Sequence, residues 1–378
     1  MLGQQGGWQD TAMIEKISIK NFKNHAHTDI DLGRVTALVG PNGSGKSTVL
    51  QTIHALNLFV EHVVKRGRLS WDIFYPLVRR HQHEWSLCVT GEQSRWQIKV
   101  AKALVESPKD TWKVNEVLLK NDDETSKEAV AEVFGQAVYF KGISSHISAP
   151  SYTLDIPPQF SAEGSGLASV LAYLMTYDRK RHLQIEQSLC AIVPTVKEVR
   201  ARPALLKLKD KKVFSVNGAQ IPYEEERDVT GQELIFDTLS GDEIPANAMS
   251  EGTLITLALL TVLHSSTEDA RLFLLDDVEQ GLHPLAQRKL MQNLKDFAKQ
   301  HNRQIILTTH SPYIVDELEA TDVWVMTSDK EGISHCQQLS KGPNANFALE
   351  VLTTGEFLGA EGEDWVLDPP VQEDPVHA

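Results

Sequence analysis

The run Gly40-Pro41-Asn42-Gly43-Ser44-Gly45-Lys46-Ser47-Thr48 constrains this chain more than any other, because it directly follows the apolar segment Val35-Thr36-Ala37-Leu38-Val39. A short β-branched run of this kind reads as a buried strand, and the residues from Lys46 to Val60 read as a helix. Glycines between strand and helix let backbone N–H groups close around phosphate oxygens, and the helix N-terminus adds positive potential. In such a loop Lys46 reaches the β- and γ-phosphates of a nucleotide, and the Ser47 hydroxyl serves a Mg²⁺ ion.

The remaining composition sets limits. A chain of 378 residues holds one large domain or two ordinary ones. No run approaches the length of a membrane span, which predicts a soluble protein with no membrane partner. Residues 1–12 lack a basic start and an apolar centre, so they read as a loose leader, with patterned sequence from Met13. Cys88, Cys190 and Cys336 are odd in number and far apart, which suits a cytoplasmic location and gives no disulfide or zinc framework. A formal charge of −14 argues against a surface that grips nucleic acid throughout. One stretch runs the other way: Lys197, Arg200, Arg202, Lys207, Lys209, Lys211 and Lys212 stand against only Glu198 and Asp210. It reads either as a solvated strand pair or as a local nucleic-acid face. From Glu356 onward the chain carries acids and no Lys or Arg, as a solvating tail does.

Ile14 to Lys20 alternates apolar and polar residues as a half-buried strand does, and Asn21-Phe22-Lys23-Asn24 makes a corner. Beyond the first helix comes a basic, aromatic stretch from Lys65 to His83, then strand-like runs at 85–90, 96–105 and 112–119. Tryptophans recurring in those runs fit the packed face of an antiparallel sheet better than a base-stacking platform. Ala137 to Phe140 is a further strand, and Ser144 to Gln159, rich in Ser and Pro, reads as a loop. Helical spacing spans Gly166 to Val193, and Pro194 ends it. Runs at 205–208 and 213–216, closed by Asn217-Gly218, predict a hairpin. No heptad repeat lies between the phosphate loop and Ser250, so long coiled-coil arms are not expected.

Arg271 to Asp277 is an apolar strand ending in two carboxylates. Beside a phosphate loop, Asp276 would join the Mg²⁺ shell and Asp277 would orient or deprotonate the attacking water. A third buried strand starts at Gln304 and ends in Thr308-Thr309-His310-Ser311-Pro312, placing His310 where it could sense a γ-phosphate. Ser250-Glu251-Gly252-Thr253 opens an apolar helix over 254–263; its hydroxyl, glycine and free helix N-terminus make either an anion site or an ordinary N-cap.

Taken in order, the phosphate loop, Ser250-Glu251-Gly252-Thr253-Leu254, the segment from Leu274 through Asp276-Asp277 to Gly281-Leu282-His283-Pro284, and Thr308-Thr309-His310-Ser311-Pro312 resemble the ABC-type ATPase heads, nearest their RecF-like and OLD-like AAA branch. Ile17 to Asn24, Glu163 to Leu171 and the C-terminal Thr354-Gly355-Glu356-Phe357 share the likeness. The resemblance implies an α/β P-loop NTPase fold: one bilobed head over 13–345 with a mixed β-sheet and a helical and hairpin insertion at about 160–265, then a C-terminal element and tail over 346–378. It implies ATP and Mg²⁺ as cofactors, with nucleotide contacts from Gly40, Asn42, Gly43, Ser44, Gly45, Lys46, Ser47 and Thr48. By the same likeness Ser47 and Asp276 hold the metal, and Lys46, Asp277 and the switch histidine His310 serve catalysis. Two heads would close as a homodimer around two ATP molecules, each capped by Ser250, Gly252 and Thr253 of the other head, with Leu282-His283-Pro284 in the loop that crosses the interface. Two departures stand out. Many relatives have Asp-Glu where this chain has Asp276-Asp277, which draws the second carboxylate back by ~1.5 Å and predicts slow hydrolysis, with Glu279 as a candidate helper. The Q-loop glutamine of the family has only Gln159 as a candidate.

The expectation that follows is an ATPase switch that controls a separate partner encoded nearby, in prokaryotic genome defence, since too few residues follow Ser328 for the nuclease domain of OLD-like enzymes. The alternative is a RecF-like DNA-binding repair factor with the Lys197 to Lys212 stretch on DNA.

Overall fold

The alternating stretch after Met13 forms Ile14–Phe22 (β1), which pairs antiparallel with His25–Asp31 (β2) across the corner at Lys23 and Asn24. The computed structural model describes residues 13–60, 84–91, 94–102, 112–118, 137–216, 219–266 and 270–367. The expected leader, the basic stretch 65–83, the turn Asn217-Gly218 and the end of the acidic tail lie outside them. Val35–Val39 (β3) is buried at every position and leads through the phosphate loop into the helix Lys46–Val60. Glu84–Gly91 (β4), Ser94–Lys102 (β5) and Trp112–Leu118 (β6) extend β1 and β2 into a five-stranded antiparallel sheet, ordered β2-β1-β4-β5-β6. The tryptophan-bearing runs are thus sheet strands.

The second sheet carries the site. Its order is β14-β13-β3-β12-β11-β7, built from Val138–Phe140 (β7), Leu272–Leu275 (β11), Gln304–Thr309 (β12), Val323–Ser328 (β13) and Ser334–Gln338 (β14). β12 and β13 flank β3 in parallel and β11 runs parallel to β12, while β14 returns antiparallel, so the sheet is mixed. Strands covered on both faces read as continuous apolar runs, which is why β3, β11 and β12 show no alternation. Ile17, Ile19 and Phe22 of the first sheet, Leu50 and Ile53 of the helix, and Leu38, Leu274, Ile306 and Met326 of the second belong to one buried cluster.

The chain forms two compact units, 1–139 with 268–277 and 294–378, and 140–267 with 278–293. The second starts earlier than the insertion of about 160–265 read from the sequence and regains the chain after Asp277. The helical spacing over Gly166 to Val193 forms two helices, Leu167–Tyr177 and Arg179–Ile192. Asp178 breaks it: its carboxylate accepts the Arg181 N–H at 3.2 Å and caps the second helix. The two short runs expected at 205–208 and 213–216 are parts of one strand, Val196–Val216 (β8), paired with Ala219–Thr238 (β9). The intervening lysines do not interrupt β8 because β9 lays carboxylates opposite: Lys207 faces Asp228 and Lys209 faces Glu226. Ile244–Pro245 (β10) closes this three-stranded sheet on the other edge of β9. The expected loop at 144–159 contains one helical turn, Ser144–Ile147. The helix Glu251–Ser265 is buried from Gly252 through Leu263, which explains its unbroken apolar run.

Candidate functional site

The corner between β1 and β2 braces the phosphate loop from below. Asn24 Nδ2 donates to Ser334 Oγ at 2.6 Å and to the Gly43 carbonyl at 3.4 Å. His25 Nε2 bonds the Gly45 carbonyl at 3.1 Å, and its Nδ1 bonds Thr28 Oγ1 at 2.8 Å. A carbonyl only accepts, so Nε2 carries the proton and Nδ1 accepts from the threonine. Burial lowers the His25 pKa from 6.5 to about 4, against a weaker opposing pull from the Gly45 carbonyl, so the ring is neutral at pH 7. Gly45 lies at φ 104°, and a Cβ there would run into Ser334, His25 and Asn24. Glycine alone satisfies both the dihedral and the space.

Lys46 is 5% exposed and folds back over the loop, donating from Nζ to the Gly40 carbonyl at 2.8 Å and the Pro41 carbonyl at 2.9 Å. Asn42 and Gly43 are exposed at the rim, Ser44 is buried, and Ser47 and Thr48 are half-buried at the helix start. Asp276, 4% exposed at the end of β11, meets them across the sheet. Its Oδ1 accepts from Ser47 Oγ at 2.8 Å and from Thr308 Oγ1 at 2.6 Å, and its Oδ2 accepts from the Tyr139 hydroxyl at 3.3 Å. The Thr308 oxygen in turn accepts the Asp277 N–H at 2.8 Å, so one threonine positions both acidic residues. Asp277 sits at φ 54°, a left-handed conformation that few residues other than glycine adopt.

Ser47 and Asp276 offer a hydroxyl and a carboxylate on adjacent elements, the oxygen-donor chemistry of a Mg²⁺ site. Tyr139 is half-buried and stacks on His54 with ring centroids 4.9 Å apart. Burial and the Asp276 carboxylate push its phenol above the ordinary range, so it stays protonated and donates. His310 follows β12 and is exposed. Gln159 is exposed, with its carbonyl against Gly166, in the unit that does not contain Asp276.

Within the second unit, Ser250 caps the helix Glu251–Ser265: its Oγ accepts the Thr253 N–H at 3.3 Å and lies 2.7 Å from Thr253 Oγ1. Gly252 packs backbone to backbone on Gly281, where a Cβ would overlap the Gly281 carbonyl. Glu251 Oε1 accepts from Gln280 Nε2 at 3.0 Å and Ser144 Oγ at 3.2 Å. Ser250, Thr253, Gly281, His283 and Lys289 are among the residues lining a cavity of about 280 Å³.

Sequence reading found the loop, the acid pair and the serine cap. It missed Thr308, Tyr139 and the Asn24–His25–Ser334 brace, because their partners lie far away in sequence. A hydroxyl at the end of an apolar strand, as at Thr308, was the one available signal. The Lys197 to Lys212 stretch, read as a candidate nucleic-acid face, carries ion pairs from Arg200 to Asp237 at 2.7 Å, Arg202 to Glu233 at 2.6 Å and Lys209 to Glu226 at 3.0 Å.

The central strand, phosphate loop and buried carboxylate two strands away define a P-loop NTPase with the SMC/ABC ATPase-head fold. The Smc head domain of Pyrococcus furiosus, solved bound to the C-terminal domain of ScpA, matches at TM-score 0.52 and 14% identity, over 90% of this chain and 99% of that one. The chain belongs to the family described as "AAA domain, putative AbiEii toxin, Type IV TA system", whose model matches residues 65–316, and a second AAA-domain model matches 16–60. A 62-residue segment is 40% identical to the DNA double-strand break repair Rad50 ATPase of Methanopyrus kandleri, covering 15% of this chain and 7% of that protein. A 41-residue segment is 46% identical to the OLD nuclease of Thermus scotoductus, covering 11% of this chain and 8% of that one. The matched segments are therefore small parts of these curated relatives. Among the described residues no helix is long and apolar enough to cross a membrane.

Proposed function

We propose that this chain binds ATP·Mg²⁺ at the phosphate loop and hydrolyses it as a switch, two copies closing head to head so that Ser250, Gly252 and Thr253 of one cap the nucleotide of the other. The observation that carries the reading is the bond from Ser47 of the loop to the buried Asp276, with Lys46 held beside them. Ser47 and Asp276 would hold the Mg²⁺, which when bound supplies charge neutralisation for the transferred phosphoryl group. Lys46 would trade its two loop carbonyls for phosphate oxygens. Asp277, fixed through Thr308, would orient the attacking water, and His310 would meet the γ-phosphate. The switch would act on a separate protein in genome defence. A separate partner is in keeping with the Smc head bound to ScpA, and defence rests on the family description.

Light scattering with ATP and Mg²⁺ tests the chemistry. Lys46→Ala should stay monomeric and bind no ATP, whereas Asp277→Ala should accumulate as an ATP-bound dimer. Unchanged turnover in Asp277→Ala would show the water-orienting role to be wrong, and no nucleotide-dependent change in mass for either protein would sink the dimer. Co-purification with the products of neighbouring genes tests the partner.

A DNA repair role fits the Rad50 likeness equally well. Against it, part of the basic stretch stands opposite acids in the hairpin register, Arg202 opposite Glu233, Lys207 opposite Asp228 and Lys209 opposite Glu226.

A further inference from the structure

Four polar side chains of the first unit make a directed hydrogen-bond relay that ends on Asp276. Lys23 Nζ, at the corner after β1, donates to Gln51 Oε1 at 2.6 Å. Gln51 acts on the Tyr139 phenol as a hydrogen-bond donor that pulls its pKa down against the larger effects of burial and Asp276, and Tyr139 donates to Asp276 Oδ2 at 3.3 Å. Direction is forced at both ends. An ammonium can only donate, so the Gln51 amide must present its oxygen to Lys23 and its NH₂ to Tyr139. An ionised carboxylate can only accept, so Tyr139 must spend its single proton on Asp276. Each donor polarises the next, and the carboxylate receives through two neutral groups the influence of a cation that does not touch it.

The relay also fixes geometry. Ser47 and Thr308 hold Oδ1, and Tyr139 holds Oδ2, so the carboxylate is pinned from both sides and cannot rotate freely about its last bond. Tyr139 is itself held by its stack on His54. Since Lys23 lies beside Asn24 and His25, which brace the loop carbonyls of Gly43 and Gly45, the same corner supports both the phosphate side and the carboxylate side of the site.

We propose that Tyr139, oriented by Gln51 and Lys23, is a positioning residue that sets Asp276 for the metal of the nucleotide complex. The proposal rests on the ATP·Mg²⁺ reading above. Two variants separate positioning from packing. Tyr139→Phe keeps the ring on His54 and removes the proton offered to Asp276. Gln51→Glu keeps the shape of the relay but presents an acceptor to Tyr139, which then turns its proton away from Asp276.

The test is binding of a fluorescent ATP analogue, mant-ATP, to the full chain, first in EDTA and then titrated with Mg²⁺, with the thermal midpoint of each protein recorded. Both variants should bind mant-ATP in EDTA within about twofold of the parent, and both should need about ten- to a hundredfold more Mg²⁺ for half-saturation, the scale of one lost hydrogen bond to a charged group. An unchanged Mg²⁺ requirement in Tyr139→Phe overturns the proposal. So does Gln51→Glu behaving like the parent while Tyr139→Phe does not, because the relay would then not orient the phenol. A parent protein that binds no mant-ATP under either condition overturns the nucleotide reading itself, which is a different result from normal binding with unaffected variants.

Discussion

Replacing His25 by Gln should remove one identifiable part of the protein's pH dependence. His25 is buried and neutral, with a pKa near 4 in the fold against the ordinary 6.5. The sign follows from that order. A group whose folded value lies below its unfolded one takes up a proton on unfolding between the two values, so its contribution is complete above pH 6.5 and is lost as the pH falls towards 4. Linkage between these values amounts to about 2 kcal/mol at pH 5 and approaches ~3 kcal/mol below pH 4. Gln keeps an amide N–H for the Gly45 carbonyl and an oxygen for the Thr28 hydroxyl, but does not titrate. Urea unfolding of both proteins at pH 8, 6.5 and 5 gives the comparison, and taking the difference cancels every other titrating group. The parent should be more stable than His25→Gln at pH 8, by about 1 kcal/mol for the poorer fit of the amide. By pH 5 that order should reverse. Two profiles that stay parallel within about 0.5 kcal/mol would mean that His25 is not held neutral by burial, and the account of the loop brace would fall with it.

Thr308→Val should cost about 2–3 kcal/mol of stability, because it removes the bond to Asp276 Oδ1 and leaves the Asp277 N–H without its threonine acceptor; denaturant unfolding together with turnover checks it, and a loss of stability with full turnover would show that Thr308 does not position the acids for catalysis. Gly252→Ala should cost about 1–3 kcal/mol, since its Cβ would press on the Gly281 backbone and not on a movable side chain; thermal unfolding measures it, and light scattering should show ATP-dependent dimerisation lost. Neutralising Lys207, Lys209, Lys211 and Lys212 together should leave any salt-dependent DNA affinity nearly unchanged, because Lys207 and Lys209 face carboxylates in the register of the hairpin. A clear drop in affinity, measured across a salt series, would restore that face as a DNA site.

Local sequence was informative wherever the physics is local. The loop Gly40 to Thr48 was legible because strand, glycines and helix start are consecutive, and β11 and β12 were legible because a strand buried on both faces is uniformly apolar. The serine cap was legible as well, since Ser250 binds a backbone N–H three residues on. The break at Asp178 was not: apolar positions continue on both sides of it, and the cap bond to Arg181 is a competing local choice that periodicity does not report. The hairpin shows in the sequence only as two short runs, because its charges obscure alternation until β9 is laid against β8.

Sequence by itself determined that this chain has a phosphate loop on a buried strand, an acid pair at the end of another, and a capped glycine-bearing helix start, because each is a pattern of a few neighbouring residues with a direct steric or hydrogen-bonding cause. Tertiary structure alone decided what orients them. The carboxylate of Asp276 is held by Ser47, Thr308 and Tyr139, drawn from a helix and two other strands, and the carbonyls of Gly43 and Gly45 are held by Asn24 and His25 from the corner before the loop. Such bonds form only once the strands are ordered β3-β12-β11-β7, and no residue in that set carries a local mark of the partner it will meet.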